Sequence, residues 1–339
     1  MEAAQRISVA FSILAGLLLA SCAGPVAQPV AVPESPITTP PIGAEAPPPP
    51  EPIALIPPPA PVAADQPRSD PFISCSGQAT RGGAIVCKAN PGATISLGGA
   101  PTAIAGADGV ALIGLSRFEA PQVKISVRPI DGAYEASTTV DILPRTDTVA
   151  KLTMECSKIA AQTPEEKRRV EVSWVKKDNA LKTFAQPLAP IGFIKPADGP
   201  YSSPFGATRT YTPKTNDCEP STSVHNGQDI AIATGTEIHA PMAGTVILAD
   251  PDLYYEGGCV FLDVGYGLVS VTMHMSRIDV KPGDTVAQGQ LLGLSGSTGR
   301  VTGPHLHWAF KYRNVHSADR GTDLWLDPTL LLGLKSPMN

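Results

Sequence analysis

Gly303-Pro304-His305-Leu306-His307-Trp308-Ala309-Phe310 is the stretch from which the architecture can be read. In a β-strand successive side chains point to opposite faces. His305 and His307 then share one face, and Leu306, Trp308 and Phe310 share the other. The apolar set can pack inward while both imidazoles face a groove. The run Leu268 to Met275 reads alike, with Val269, Val271, Met273 and Met275 on one face and Ser270, Thr272 and His274 on the other. Many short alternating runs of this kind, separated by glycines, make residues 190–333 an all-β domain.

All six histidines lie between His225 and His316, inside that domain. His225 and Asp229 are four residues apart and can share a face on a strand or a helical turn. Neutral imidazoles and a carboxylate are ligands that zinc accepts, and a catalytic zinc site uses three protein ligands with the fourth position open. His225, Asp229 and one of His305 and His307 fill that count. His274 and the other member of the pair are then left to hydrogen-bond the attacking water and the developing oxyanion. His239 and His316 read as surface or groove-edge residues.

Upstream, residues 71–147 read as a small β-sandwich-like domain. Alternation recurs in 93–97, 123–127 and 138–142, with turn signals at Gly98-Gly99, Asp108-Gly109 and Asp131-Gly132. It has no histidine, and its expected role is a spacer or binding module. Residues 148–189 form a linker. Within it, Thr163-Pro164-Glu165-Glu166 is a capping box with proline at the first helical position, which predicts a connecting helix from Pro164 to Phe184.

Sixteen of the chain's 36 prolines fall between Pro25 and Pro67. Residues 23–70 are therefore a disordered, polyproline-like tether that cannot bury a core. Fully extended, it would reach on the order of 150 Å. Residues 1–22 have the apolar run Val9 to Ala20 behind Arg6, the pattern of a secretory signal. The run ends in Leu19-Ala20-Ser21-Cys22, which resembles a bacterial lipobox, with Cys22 as the lipidated residue. The expectation is an exported lipoprotein facing the periplasm, held to the membrane by its lipid. A net charge of −5 over 339 residues gives no footprint for nucleic acid.

Export permits disulfides. Cys75 and Cys87 are close in one domain and are expected to pair. Cys218 and Cys259 both fall in the last domain and are the second expected pair, leaving Cys156 over.

The segment His225 to Phe310 resembles the LytM/lysostaphin-type zinc metallopeptidases, and the likeness extends over roughly Phe193 to Leu332. It rests on Phe205-Gly206 with Arg209, His225-x-Gly-x-Asp229-Ile230-Ala231, Gly235-Thr236, Ala240-Pro241 and Gly244-Thr245-Val246. It continues through Lys281-Pro282-Gly283-Asp284-Thr285-Val286, Gly289-Gln290 and Gly303-Pro304-His305-Leu306-His307. The resemblance implies that His225, Asp229 and His307 bind zinc and that His274 and His305 are catalytic. It implies peptidoglycan as substrate, cut at peptide cross-links or stems. Family members often carry an aromatic two residues before the position of His274, where this chain has Thr272. Tyr211 to Val224 looks like an insertion that walls the groove.

Three other functions compete. A catalytically silent relative would activate cell-wall amidases without cutting, but here all five expected polar residues are present. A biotinyl or lipoyl carrier barrel shares the Ala240 to Val246 pattern but needs a modifiable lysine on a hairpin, where this chain has Met273-His274-Met275. A structural cell-wall lipoprotein would have no use for the metal set. Unregulated wall cutting would be lethal, so the reading includes a blocking segment or a protein regulator.

Overall fold

The computed structural model describes residues 70–337, apart from 78, 133 and 160–162. The expected signal segment, Cys22 and the Pro-rich stretch through residue 69 lie outside the described residues. The chain is mainly β, as its alternation predicts.

The upstream module stacks two sheets. One contains β1 (Ile73–Ser76), β2 (Ala84–Ala89) and β5 (Val110–Gly114). The other contains β3 (Thr94–Leu97), β4 (Ala100–Ile104), β6 (Gln122–Arg128) and β7 (Ala136–Asp141). Ile95, Val123, Ile125 and Val127 face Ile85, Cys87, Ala111 and Ile113 in the core between them. Cys75 and Cys87 are cross-strand partners and form the expected disulfide. β2 and β5 are buried on both faces. Their other side, Ala84, Val86, Val110 and Leu112, belongs to the core of the downstream half. Such strands read as continuous apolar runs rather than as alternation. Tyr312 crosses this junction, and its hydroxyl donates to the carbonyls of Thr102 and Leu112.

The linker contains a strand that the sequence reading did not anticipate, β8 (Val149–Met154). It is followed by the short α1 (Cys156–Ile159) and by α2 (Pro164–Leu181). The capping box of α2 is formed as predicted, by Thr163 and Glu166. The helix stops at Leu181, three residues short of the expected Phe184. The buried Arg313 explains the stop. Its guanidinium donates to the carbonyls of Leu181 and Thr183 and stacks 4.2 Å from the Phe184 ring, so the last turn is capped from outside the helix.

Downstream come β9 (Tyr201–Ser203), β10 (Thr208–Pro213), β11 (Ser221–Val224), β12 (Gln228–Ile230) and β13 (Glu237–His239). β14 (Gly244–Leu253), β15 (Gly257–Asp263), β16 (Leu268–Met275), β17 (Arg277–Ile278) and β18 (Thr285–Val286) follow. The chain continues with β19 (Leu291–Leu294), β20 (Leu306–Tyr312), β21 (Leu324–Leu326) and α3 (Pro328–Leu331). The main sheet runs in the order β18-β14-β15-β16-β20-β12-β9, with β21 also paired to β20. Leu306, Trp308, Phe310 and Tyr312 project from β20 into its apolar side.

β10 pairs antiparallel with β11 and parallel with β8, giving a separate three-stranded sheet. The expected insertion Tyr211 to Val224 comprises the end of β10, the hairpin turn and all of β11. Cys218 in its turn pairs with Cys156, not with Cys259. The register explains the correction, because Pro213 lies opposite Met154 and this carries the hairpin turn to the start of α1. Cys259 faces inward from β15, fully buried, and has no route to Cys218. Closing a separation of 62 residues stabilises the folded chain by about 4 kcal/mol in the chain-entropy account.

Candidate metal and active site

Three elements set the first histidine and its partners. His225 follows β11 in a turn fixed by two backbone hydrogen bonds, Gly206 N–H to its carbonyl at 2.8 Å and its own N–H to Ala207 at 2.9 Å. Asp229 is the middle residue of β12 and lies directly opposite His307 of β20. Gly227 passes over the His307 ring so closely that a Cβ there would sit 2.5 Å from Nε2 and 2.6 Å from the Trp308 carbonyl oxygen. The expected outcome for Gly227→Ala is a shifted His307 and at least a tenfold weaker hold on metal, read by titration with a competing chelator; an unchanged affinity would show that the ring is not fixed by this approach.

Asp229 Oδ1 is 3.0 Å from both His225 Nε2 and His307 Nδ1, and those two nitrogens are 3.0 Å apart. These three donors form a group able to hold a metal ion. Burial works against ionising Asp229, but hydrogen bonds and charge from His225 and His307 outweigh it and hold the carboxyl well below the usual carboxylate range. His307 is shifted down by burial, with Asp229 opposing the shift and His225 adding to it.

The remaining two histidines face this cluster. His274 Nδ1 is 3.0 Å from the Thr298 carbonyl oxygen, His305 Nδ1 is 2.9 Å from that of Gly303, and His225 Nδ1 is 2.9 Å from that of Pro204. A carbonyl only accepts, so each Nδ1 carries a proton and Nε2 is the nitrogen left for other partners. The rings of His274 and His305 are 4.8 Å apart, and His305 Nε2 is 3.8 Å from Asp229 Oδ1. Burial and the neighbouring His307 and His305 push His274 down to about 3, so it is neutral at ordinary pH.

His274 reaches the groove by a route that simple alternation misses. The expected grouping of Ser270, Thr272 and His274 on the groove face does not hold. Val269, Val271 and Met273 lie on the side of β16 shared with His307. Ser270 and Thr272 point to the opposite side, where the Trp308 indole N–H donates to Ser270 and Thr272 donates to the Met275 sulfur. Between Thr272 and Met275, β16 takes three steps while β15 takes two from Val260 to Gly258. This β-bulge puts His274 at φ 65°, which turns its ring to the groove and returns Met275 to the core. Thr272, at 1% exposure, is a core residue and no part of the groove.

All five predicted site residues line one groove of 1110 Å³. His239 and His316 do not. His239 lies beside Glu237, and His316 is hydrogen-bonded to the Ala103 carbonyl. The sequence reading missed Ala150 and Leu152, which β8 contributes to the groove, and Glu256 and Arg300, which also line it. Alternation in Val149 to Met154 was the available signal for the first two.

Residues 223–319 match peptidase family M23. A crystal structure from Pseudomonas aeruginosa assigned to peptidase M23 aligns with 76% of this chain and 96% of its own, at 30% identity and a TM-score of 0.53. This chain belongs to peptidase family M23. Its M23 segment is 43% identical over 84 residues to the peptidoglycan DD-endopeptidase ShyA of Vibrio cholerae, covering 25% of this chain and 19% of that protein. It is 38% identical over 100 residues to lysostaphin of Staphylococcus staphylolyticus, covering 29% and 20% respectively. The chain thus spans about a fifth of the length of these curated M23 relatives. The upstream β module and α2 lie outside the matched M23 residues.

Proposed function

We propose that this M23 chain is a zinc-dependent endopeptidase that cuts peptide cross-links or stems of peptidoglycan. His225, Asp229 and His307 are its metal ligands, and His274 and His305 its catalytic residues. We further propose that the chain is exported and held to the membrane by a lipidated Cys22, with the Pro-rich stretch giving it reach. The anchor reading rests on the sequence of residues 1–70, and the substrate reading on the names of the M23 relatives.

The observation that carries the enzymatic reading is the convergence of three donor atoms with two further imidazoles open to the same groove. The donor spacing of 3.0 Å is close to the edge of about 3.3 Å of a tetrahedron built on bonds of 2.0–2.1 Å. Two neutral nitrogens and one carboxylate suit zinc and leave a fourth position free. When bound, the cation would supply Lewis-acid polarisation of the scissile carbonyl and acidify water. The Nε2 lone pairs of His274 and His305 would accept hydrogen bonds from the attacking water and take its proton as oxygen bonds to the carbonyl carbon. The imidazolium so formed is an N–H donor to the tetrahedral oxygen and then gives the proton to the leaving nitrogen as the C–N bond breaks. One new carboxylate and one new amine result.

The test is digestion of purified sacculi by the full chain. Soluble muropeptides with new amino termini, absent with chelator and restored by zinc, are expected. Metal-free protein that digests equally well, or zinc-loaded protein that binds sacculi and releases nothing, would overturn the reading, the second in favour of a silent activator of amidases.

A further inference from the structure

One groove wall is formed by β8, β10 and β11, of which β8 and β10 precede residues 223–319. In that sheet Arg209 lies opposite Ala150 and Ser223, and Tyr211 lies opposite Leu152. Cross-strand partners share a face, and Ala150, Leu152, Arg209, Tyr211 and Ser223 all line the groove.

Among these, Arg209 has an incomplete environment. One Nη2 hydrogen donates to Ser203 Oγ at 2.6 Å. Among the described residues no carboxylate lies within ion-pair distance of its guanidinium, whereas Arg117, Arg145, Arg277 and Arg313 all have one. Ser203 Oγ is in turn 3.5 Å from His225 Nδ1. The guanidinium is therefore fixed one side chain away from the metal donors, with most of its five N–H groups uncommitted. The other charges in the lining do not compensate it. Asp229 is engaged by His225 and His307, and Glu256 is paired with Lys177.

A planar fork beside a cation site favours a planar anion with two oxygens. We propose that Arg209 is a specificity residue that binds a free carboxylate on the substrate, on the residue at or next to the scissile bond. Leu152 and Tyr211 offer apolar contact beside it for a short aliphatic side chain. The preferred substrate class is thus an acidic peptide of small residues, in contrast to an uncharged chain. This rests on the peptidase reading above and refines it.

The test compares two synthetic peptides that differ only in one group next to the scissile bond, a free carboxylate in one and its primary amide in the other. With the zinc-loaded full chain, the acid should be cut with about tenfold higher kcat/KM, the difference residing in KM, as a charged two-pronged hydrogen bond implies. In Arg209→Gln that ratio should fall to about one. Arg209→Lys, which keeps the charge and loses the fork, should give an intermediate ratio, and it carries the test if the glutamine variant loses zinc or fails to fold. A ratio near one in the unmutated protein, or a full ratio in either variant, overturns the inference and leaves the peptidase reading standing. Equal loss of both cleavages with the ratio preserved would make Arg209 a positioning residue for His225 through Ser203, which also overturns it. No cleavage of either peptide by the unmutated protein overturns both.

Discussion

His225→Ala and Asp229→Ala should each lose bound zinc and endopeptidase activity together, with turnover down by more than about 10³-fold. Three protein donors are the minimum from which a catalytic zinc site is built, and each variant leaves two. Loss of an outer partner of a metal ligand costs about 10–100-fold in affinity, and loss of a ligand itself exceeds that. Asp229→Ala has a second consequence. Its carboxylate oxygen lies within hydrogen-bond distance of both imidazoles, so alanine leaves two ring nitrogens facing each other at 3.0 Å without that shared partner. Elemental analysis for zinc beside the sacculus assay checks both. Full zinc occupancy in either variant would place the metal elsewhere.

His274→Ala and His305→Ala should behave differently. Their Nδ1 protons are committed to the backbone carbonyls of Thr298 and Gly303, and their Nε2 atoms look into the groove rather than joining the triangle of donors. Zinc content should stay near one per chain while kcat falls by about 10²–10⁴, the usual worth of a positioned proton-transfer group. Alanine at 274 inherits a φ of 65°, where histidine is enriched among non-glycine residues, so a thermal melt beside the zinc assay separates any backbone cost from loss of the ring. Loss of zinc from these two variants would overturn the division of roles among the five residues.

The sequence carried the site further than it carried the geometry that builds it. The spacing of His225 and Asp229 and the alternation through His305 to Phe310 pointed to residues that do converge, because a strand's period is a local property of the chain. His274 converges as well, but for a reason alternation cannot express. The extra residue in β16 is a property of its pairing with β15 and is visible only once both strands are aligned. The Cys156–Cys218 bond escapes the sequence for a similar reason. Its partners meet because β8 and β10 run parallel, whereas a shared domain points from Cys218 to Cys259. β2 and β5 carry continuous apolar runs, the mark of strands covered on both faces, whereas alternation alone suggests a separate spacer or binding module.

Those two strands bear on how the protein is made. Residues 84–114 leave the ribosome about 200 residues before Tyr312, whose ring packs against Gly114. At ordinary elongation rates the interval is roughly 10–40 s. Throughout it the outer side of β2 and β5 has no covering, and a nascent chain in that condition invites self-association. A holdase that grips this segment until Tyr312 has been made, or a secretion route that postpones folding altogether, would spare the cell that hazard.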